Sequence, residues 1–386
     1  MTFVEPARVC VLVDFISPDV GTPPLRAAFE SPTTVLTADE THEVLGVLEA
    51  VQAYATAGYW CVGFVRYEAA EAFDPALTCR SSGDEPLAWF GVFDAPRAWA
   101  EAAGEQAQVQ WHHSLAETDL RTATREIHRR ITEGIVYQIN HTGRMRGVLS
   151  SGSPRTLFAQ LQQVQPGTYA AFIDTGSQQV LSVSPELFFD WQADGRILSR
   201  PMKGTAPRGG TPEEDLKNAT TLRNSPKERA ENVMIVDLIR NDISRVAELH
   251  SVNVPRLFHT EALPTVWSMT TDVVAKTRTE TTLADVFAAL FPCGSITGAP
   301  KVQAMRTICD LERDARGVYC GAIGVVRPGG AATFNVAIRT VEINHRKEVI
   351  CGIGSGITID AHFDGEWAEW GHKAAFVLRA TSAESR

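Results

Sequence analysis

A short stretch around Asp194-Gly195 constrains the fold of this chain more than any other feature. Leu187–Trp191 is mostly apolar and aromatic, and Arg196–Arg200 follows the Asp-Gly dipeptide as a second strand-forming run. Asp-Gly is one of the strongest signals for the tight turn of a β-hairpin. The stretch therefore predicts two antiparallel strands joined by a two-residue turn.

This hairpin is expected to bring an acid and an amine together. Glu186 precedes the first strand in Ser-Pro-Glu-Leu-Phe, and Lys203 follows the second in Arg-Pro-Met-Lys-Gly-Thr. With Asp194 and Gly195 at the two central turn positions, Glu186 and Lys203 face each other with Cβ atoms about 5 Å apart. Such a carboxyl and amine are either a catalytic pair or an ordinary cross-strand ion pair, and the hairpin alone leaves both interpretations open.

Composition narrows the class of protein. The chain has 386 residues, of which 44% are hydrophobic and 21% charged, as in soluble globular proteins. It has no apolar run long enough for a membrane span and no secretory signal. Its seven cysteines are scattered without a Cys-x-x-Cys pair, which favours a reducing cytoplasm over a zinc or dithiol site. The net charge of −10 disfavours nucleic acid as a partner but allows a small anionic substrate.

The order of strand and helix patterns predicts an α+β fold. Strand runs joined by short turns, with helices grouped between them, are not the pattern of repeated βαβ units. We place the boundary before residue 118, between an N-terminal region, 1–117, and a C-terminal region, 118–386, of the same fold. The C-terminal region is expected to begin with a helix capped by Thr118 and to continue with a strand at 135–140.

Three carboxylates on two predicted helices are candidates for a metal site. Glu231 lies on the apolar stripe of a helix that Ser225-Pro226 opens, where it is either paired with Lys227 or bound to a metal. The last helix, from about residue 365, carries two further acids and a lysine on one face: Glu366, Glu369 and Lys373. Glu369 and Lys373 are spaced like a solvated ion pair, but two adjacent acids also suit Mg²⁺.

Other polar features predict an anion site. The run Gly352-Ile353-Gly354-Ser355-Gly356 can offer backbone amides to a carboxylate, or it is simply a tight turn. Arg339 lies in a largely apolar strand, where it binds either a planar anion or a structural acid. The loop Gly294–Lys301 lacks P-loop spacing, which argues against ATP. We find no nucleophile turn and no Ser-His-Asp arrangement, so the chain is not expected to hydrolyse amides itself.

Taken together, these motifs resemble the chorismate-utilising enzymes, a family that includes anthranilate, aminodeoxychorismate, isochorismate and salicylate synthases. The resemblance covers roughly residues 118–380 and is looser in the N-terminal region. Its motifs are Gly134 to Asn140, Ser184 to Phe188, Arg200 to Thr205, Glu228 to Asn232 with Val236 to Asp242, Gly294 to Lys301, and Gly354 to Gly356 with the last helix.

The resemblance implies both a fold and a set of ligands. The fold would be two packed antiparallel sheets, a β-sandwich core, with helices on the outside. Glu231 and Glu369 would hold Mg²⁺, with Glu366 close by. Six residues would bind the substrate chorismate, most of them through its two carboxylates: Tyr319, Arg339, Gly354, Gly356, Lys373 and Thr297.

The residue at the position of Lys203 distinguishes the activities within the family. A lysine resembling it is the nucleophile of aminodeoxychorismate synthases, whereas anthranilate synthases have Ala there. Isochorismate and salicylate synthases place a Lys base where this chain has Gln138. The resemblance therefore implies amination of chorismate at C4, with Glu186 as general acid and Lys203 as nucleophile. Cations such as Arg200 or Arg208 would help to keep Lys203 neutral.

The same resemblance implies partners. Ammonia would come from a separate glutamine amidotransferase subunit, and the product would serve 4-aminobenzoate and folate synthesis. Family members often have His where this chain has Ser268, which puts the role of that His in doubt here. Two alternatives stay open: an anthranilate synthase component I, and a non-catalytic regulator that binds chorismate or an amino acid.

Overall fold

The structure is a computed structural model, which describes residues 10–19, 21–81, 83–102, 104–113, 116–263 and 266–382. The strands are β1 (Cys10–Phe15), β2 (Leu25–Glu30), β3 (Thr34–Ala38), β4 (Trp60–Val65), β5 (Ala88–Phe93), β6 (Gln108–His113), β7 (Gln138–Ser151), β8 (Tyr169–Asp174), β9 (Gln178–Ser184), β10 (Leu187–Trp191), β11 (Arg196–Arg200), β12 (Met202–Pro207), β13 (Asn253–Ala262), β14 (Val266–Lys276), β15 (Gly298–Ala299), β16 (Ala322–Val326), β17 (Ala332–Val336), β18 (Thr340–Asn344) and β19 (Glu348–Ile357). The helices are α1 (Val44–Thr56), α2 (Ala70–Phe73), α3 (Glu117–Thr132), α4 (Pro154–Val164), α5 (Pro212–Asn224), α6 (Pro226–Ser244), α7 (Leu283–Leu290), α8 (Lys301–Leu311) and α9 (Phe363–Thr381).

Two antiparallel sheets form the centre of the described chain. One has the order β15-β7-β19-β18-β9-β8-β1-β2, with β6 also paired to β7. The other has the order β12-β14-β11-β10-β17-β16-β4-β5-β3, with β13 also paired to β14. Strands from before and after residue 118 lie side by side in both sheets. The predicted α+β class, two packed antiparallel sheets with helices outside, is confirmed.

Apolar side chains form three layers of core around these sheets. Phe15 and Tyr169 of the first sheet meet Phe64 and Leu187 of the second in the core between them. A second core lies between the second sheet and helices that include α1, α6 and α7. A third lies between the first sheet and α3, α4, α8 and α9. No helix in the described part of the chain is long and apolar enough to cross a membrane.

The hairpin forms as β10 and β11, but its predicted register is wrong. The turn has three residues, closed by the Gln192 amide donating to the Arg196 carbonyl at 2.8 Å. Gly195, the last residue of this turn, takes a φ of +86°, a left-handed conformation that glycine adopts readily. A further irregularity in β10 shifts the pairing again, so that Leu187 faces Arg200. Glu186 and Lys203 are therefore not direct cross-strand partners.

Element ends differ from the predictions where local signals were ambiguous. The two proline-led helices begin at Pro212 and Pro226, as predicted. Thr118 does not cap α3, which already begins at Glu117. The strand predicted at 135–140 begins at Gln138 and runs on to Ser151, because pairing with β19 and β6 holds a polar, glycine-containing stretch extended.

Candidate active site

A row of glycines on β19 forms the floor of the candidate site. Gly352, Gly354 and Gly356 alternate along the strand, so they share one face of it. A Cβ at Gly352 would lie 2.2 Å from the Tyr319 ring, and one at Gly356 would lie 2.3 Å from Gln138 Nε2. Only glycine leaves room for these side chains. Tyr319 and Gln138 thus stand at two ends of a floor that is about 13 Å long.

Lys203 extends from β12 over the Gly356 end of this floor. A Cβ at Gly356 would lie 3.3 Å from its Nζ, and Nζ donates a single hydrogen bond, to the Ser295 carbonyl at 3.3 Å. No carboxylate of the described residues lies within ion-pair distance of Nζ. Burial lowers the pKa of Lys203 and the Lys373 ammonium lowers it further, against the opposing charges of Glu186, Glu231 and Glu369.

Glu186 lies in the same pocket and its pKa moves in the opposite direction. The side chain is 4% exposed, and its Oε1 has no hydrogen-bond partner among the described residues. Burial raises the pKa of Glu186, while the Ser295 hydroxyl and the Lys203 ammonium act against that rise. The acid and the amine therefore influence each other without forming an ion pair. The cross-strand ion pair that the hairpin alone allowed is absent from the described residues.

The cations that were expected to influence Lys203 are engaged elsewhere. Arg200 binds Asp272 through Nε at 2.5 Å and Nη2 at 3.1 Å. Arg208 binds Asp215 at 2.6 Å. Lys373 is the cation that lowers the pKa of Lys203. The expectation for Arg200 and Arg208 was wrong because each has a carboxylate partner of its own.

Two residues of the pocket, Ser295 and Gln138, were not among the predicted site residues. Ser295 accepts the Lys203 hydrogen bond through its carbonyl and turns its hydroxyl towards Glu186. Gln138 is fully buried, yet both atoms of its amide lack hydrogen-bond partners among the described residues. The signal for Gln138 was its strand position opposite Tyr137. Ser295 carried no signal beyond its glycine-rich loop, whose path over the pocket only the fold defines.

The three candidate metal ligands come from α6 and α9. Glu231 and Glu369 lie near enough that the charge of Glu369 adds to the burial that raises the pKa of Glu231. Ser355 Oγ donates to Glu366 at 2.5 Å, and burial raises the pKa of Glu366 as well. The described chain contains no preformed cluster of three acid, imidazole or thiol groups. Two carboxylates that leave room for water and substrate oxygens nevertheless fit Mg²⁺.

The two ion pairs that the sequence offered as alternatives to metal binding are both present. Lys373 Nζ lies 2.7 Å from Glu369 Oε1, and Lys227 Nζ lies 3.9 Å from Glu231 Oε1. Burial alone would raise the pKa of Glu369, but Lys373 outweighs it and the pKa is lowered. Each proposed ligand thus has a lysine one helical turn away, which keeps negative charge available at the site.

Two of the candidate substrate ligands are cations, Lys373 and Arg339. Lys373 Nζ donates to the Gly354 carbonyl at 2.9 Å, beyond the last residue of β19 that pairs with β18. Arg339, with a φ of +49°, lies beside Pro185 and has no carboxylate partner in the described chain. Burial lowers its pKa to about 10. A partly buried guanidinium without an acid is suited to an anionic ligand.

Thr297 and Tyr319 have different surroundings. The Thr297 hydroxyl donates to the Cys293 carbonyl at 3.2 Å and so serves its own loop. The Tyr319 ring packs on Gly352, and the Arg144 guanidinium lies 5.2 Å from its centroid. Tyr319 therefore belongs to the floor of the pocket, whereas the side chain of Thr297 holds the loop that carries Ser295.

Comparison with known proteins first assigns the fold. Anthranilate synthase component I from Streptococcus pneumoniae superimposes with a TM-score of 0.76 over 98% of this chain and 94% of that chain, at 23% identity. The family model of chorismate binding enzymes matches residues 22–379. The chain therefore belongs to the family of chorismate binding enzymes.

Curated relatives are more similar in sequence. Aminodeoxychorismate synthase component 1 of Klebsiella aerogenes is 38% identical over 300 residues, which is 77% of this chain. The protein of the same name from Escherichia coli strain K12 is 36% identical over 292 residues, or 74% of this chain. The matches span 65% and 64% of these relatives, just under two thirds of their length.

Proposed function

We propose that this protein aminates chorismate at C4 to give 4-amino-4-deoxychorismate, as the first component of an aminodeoxychorismate synthase. The observation that carries the proposal is the unpaired Lys203 amine beside Glu186, because burial favours the neutral amine and the protonated acid together. An amine nucleophile and a general acid are the two groups that displacement of a hydroxyl by addition and rearrangement requires. The names of the curated relatives support the same activity.

Glu186 and Lys203 divide the reaction between them. The Lys203 amine attacks C2 of chorismate, both ring double bonds shift by one position, and the C4 hydroxyl leaves as water with the proton of Glu186. The new secondary ammonium then returns its extra proton to the Glu186 carboxylate. Ammonia adds at C4, both double bonds shift back, and the Lys203 nitrogen leaves C2. The proton released from the new ammonium at C4 restores the neutral amine, so protons and electrons balance.

The other pocket residues bind and orient the substrate. Lys373, Arg339 and the free amides of the β19 edge suit its carboxylates. Glu231 and Glu369, with Glu366 behind them, would hold Mg²⁺, which would neutralise a substrate carboxylate when bound. Gln138 closes the pocket beside Lys203 with an amide, which cannot activate water as a lysine base would.

The proposal implies an ammonia source outside this chain. The relatives are named as component 1, which supports a second component. A glutamine amidotransferase subunit would supply ammonia, and a separate lyase would convert the product to 4-aminobenzoate. The anthranilate alternative has less support, since it leaves Lys203 without a role. Ser268 is buried with its hydroxyl 3.5 Å from the Gly204 carbonyl, and a hydroxyl is a poor base for the elimination that anthranilate formation needs.

Incubation with chorismate, Mg²⁺ and ammonium tests the proposal. Wild type is expected to release aminodeoxychorismate without pyruvate, and Lys203→Ala to lose at least about 1,000-fold of this rate, as on removal of other nucleophiles. Mass spectrometry of the quenched enzyme is expected to show a chorismate-derived adduct on Lys203. Formation of anthranilate and pyruvate by wild type would refute the function. Unchanged product from Lys203→Ala would refute the nucleophile alone.

A further inference from the structure

A second cleft opens along β7, around residues 141–146. It has a volume of about 510 Å³, within the range of small-molecule sites. Its walls come from α3, the end of α8 with the loop after it, and α9, whereas none of the candidate catalytic or metal-binding residues lines it. Nothing in the proposed amination uses this cleft.

His141 is the first sign that the cleft is built for a ligand. Its side chain is 5% exposed and lines the cleft, yet its Nδ1 has no hydrogen-bond partner in the described chain. The nearest carboxylate oxygen, of Glu312, is 3.9 Å away. Burial lowers the pKa of His141, so the ring is held neutral and can accept or donate one hydrogen bond at each nitrogen. A buried polar atom without a partner is costly unless a ligand or water binds it.

One side of the cleft is lined by three arginines and three acids, and the arginines differ in how closely each is paired. Arg146 and Arg313 each have an aspartate partner, Asp314 at 2.8 Å and Asp119 at 3.0 Å. Arg144 has no carboxylate at hydrogen-bond distance among the described residues. Its guanidinium donates to three neutral oxygens, and Glu312, 3.9 Å away, is bound to Arg316 instead. The side chain of Arg144 is only 4% exposed, so its charge is poorly screened by solvent.

The other side of the cleft is aromatic and apolar. The rings of Trp370 and His141 stack with centroids 5.8 Å apart and planes 26° apart. Leu311 and Ala123 continue this wall. The Trp370 indole N–H is already bound to Ser355 at 2.9 Å, so the ring offers the cleft a contact surface rather than a donor. A flat, apolar ligand body with one anionic end matches these two walls.

We propose that this cleft binds a small aromatic carboxylate, with its ring against Trp370 and Leu311, its carboxylate towards Arg144 and Arg146, and His141 as a hydrogen-bond partner. Binding at this cleft does not require that the proposed amination be correct. Its occupancy would be felt at the candidate metal site, because Trp370 donates to Ser355, which in turn donates to Glu366.

Titration of the full chain with benzoate, followed by calorimetry and by tryptophan fluorescence, tests the proposal. Benzoate is expected to bind at one site, and benzamide and acetate, which lack the charge or the ring, about tenfold more weakly. Arg146→Ala and His141→Phe are each expected to weaken benzoate binding about tenfold. Arg125→Ala, an exposed arginine on α3 that lines no part of the cleft, is the matched control and is expected to bind as wild type does.

The candidate active site could also attract benzoate, so Arg339→Ala separates the two sites. Binding that survives Arg339→Ala and falls with Arg146→Ala supports the cleft. Binding lost with Arg339→Ala and kept with Arg146→Ala would place benzoate over β19 and overturn the proposal. Equal binding of benzoate and benzamide would also overturn it, as would the absence of binding. If His141→Phe does not fold, Arg146→Ala, a partly exposed position, decides alone.

Discussion

Two buried acid–base pairs lie close together in this protein and are built in opposite ways. In one, Arg316 donates two hydrogen bonds to the Glu312 carboxylate, of 3.0 and 2.6 Å. It also donates to the carbonyls of Ile296 and Asn140, at 2.7 Å each. In the other, Lys203 makes one hydrogen bond of 3.3 Å within the described chain, where one oxygen of Glu186 has no hydrogen-bond partner.

The pKa shifts follow this difference in bonding. Although burial opposes ionisation in both pairs, the Arg316 charge holds the pKa of Glu312 below its ordinary value and Glu312 raises that of Arg316. The pKa of Glu186 is raised and that of Lys203 is lowered, because burial there is not offset. One pair is stable as ions, and the other is held towards its neutral, reactive forms. Shifts of pKa towards the neutral forms of both groups are typical of functional sites.

The first pair also serves the second. Arg316 holds the carbonyl of Ile296, next to Ser295, whose own carbonyl receives the Lys203 hydrogen bond. Glu68, from the N-terminal region, accepts bonds from the Arg316 and Gly317 amides. The Arg316–Glu312 ion pair thus fixes the loop of Ser295 and Ile296, and Lys203 is held against that loop.

The largest expected effect is on folding, from Glu312→Gln. Removing the carboxylate leaves Arg316 as a buried charge without its partner, which typically costs about 3–5 kcal/mol. Urea unfolding followed by circular dichroism measures this loss. A loss below about 1 kcal/mol would mean that the Arg316–Glu312 pair does not support the fold.

The matched change in the other pair, Glu186→Gln, should act on turnover instead. Loss of a general acid is expected to slow amination of chorismate about 100- to 10,000-fold. The free energy of unfolding is expected to stay equal or rise, because burial disfavours the ionised carboxyl of Glu186 and the glutamine amide stays neutral. Product formation and urea unfolding of the same preparation check both statements, and a variant as active as wild type contradicts the first.

A third expected effect concerns the metal. Glu231→Gln and Glu369→Gln are each expected to raise the Mg²⁺ concentration for half-maximal activity by about tenfold or more, since each removes one of two carboxylate ligands. Glu248→Gln, at an exposed position after α6, is the control and should leave it unchanged. Equal Mg²⁺ dependence in all three variants would show that neither Glu231 nor Glu369 binds the metal.

The smallest expected effect is on the pH dependence of stability. Because the folded pKa of Glu186 is raised, unfolded chains ionise first as pH increases above the ordinary value of 4.5. Wild type then loses stability relative to Glu186→Gln as pH rises through the raised pKa. Unfolding free energies of both proteins at pH 4.5 and pH 7 measure the difference. A constant difference would show that Glu186 titrates normally.

Local patterns predicted much of the fold. The apolar, aromatic run before the Asp-Gly signal located β10 and β11, and proline at the first helical position located α5 and α6. The register of the hairpin was wrong, because a three-residue turn and a bulge depend on pairing with β14 and β17 rather than on the turn alone. Sequence spacing therefore predicted that Glu186 and Lys203 lie near each other, which the structure shows, but through a register that the hairpin does not have.

The remaining errors concern side chains whose role depends on distant parts of the chain. Ser295 meets Lys203 across 92 positions, and Lys373 acts on it from the last helix. Arg200 looked like the nearest cation in sequence, but Asp272 on a neighbouring strand binds it. Motif resemblance pointed to the residues of the pocket, whereas only the fold shows which charges are already paired.

The most direct test of the contrast between the two pairs is Lys203→Met, which replaces the amine with an apolar chain of similar length. Thermal unfolding and chorismate turnover are measured on one preparation. We expect a melting temperature equal to or above that of wild type, with turnover lowered at least about 1,000-fold. A melting temperature several degrees lower with turnover retained would show that Lys203 is a structural ion-pair partner, as Arg316 is, and would contradict this account.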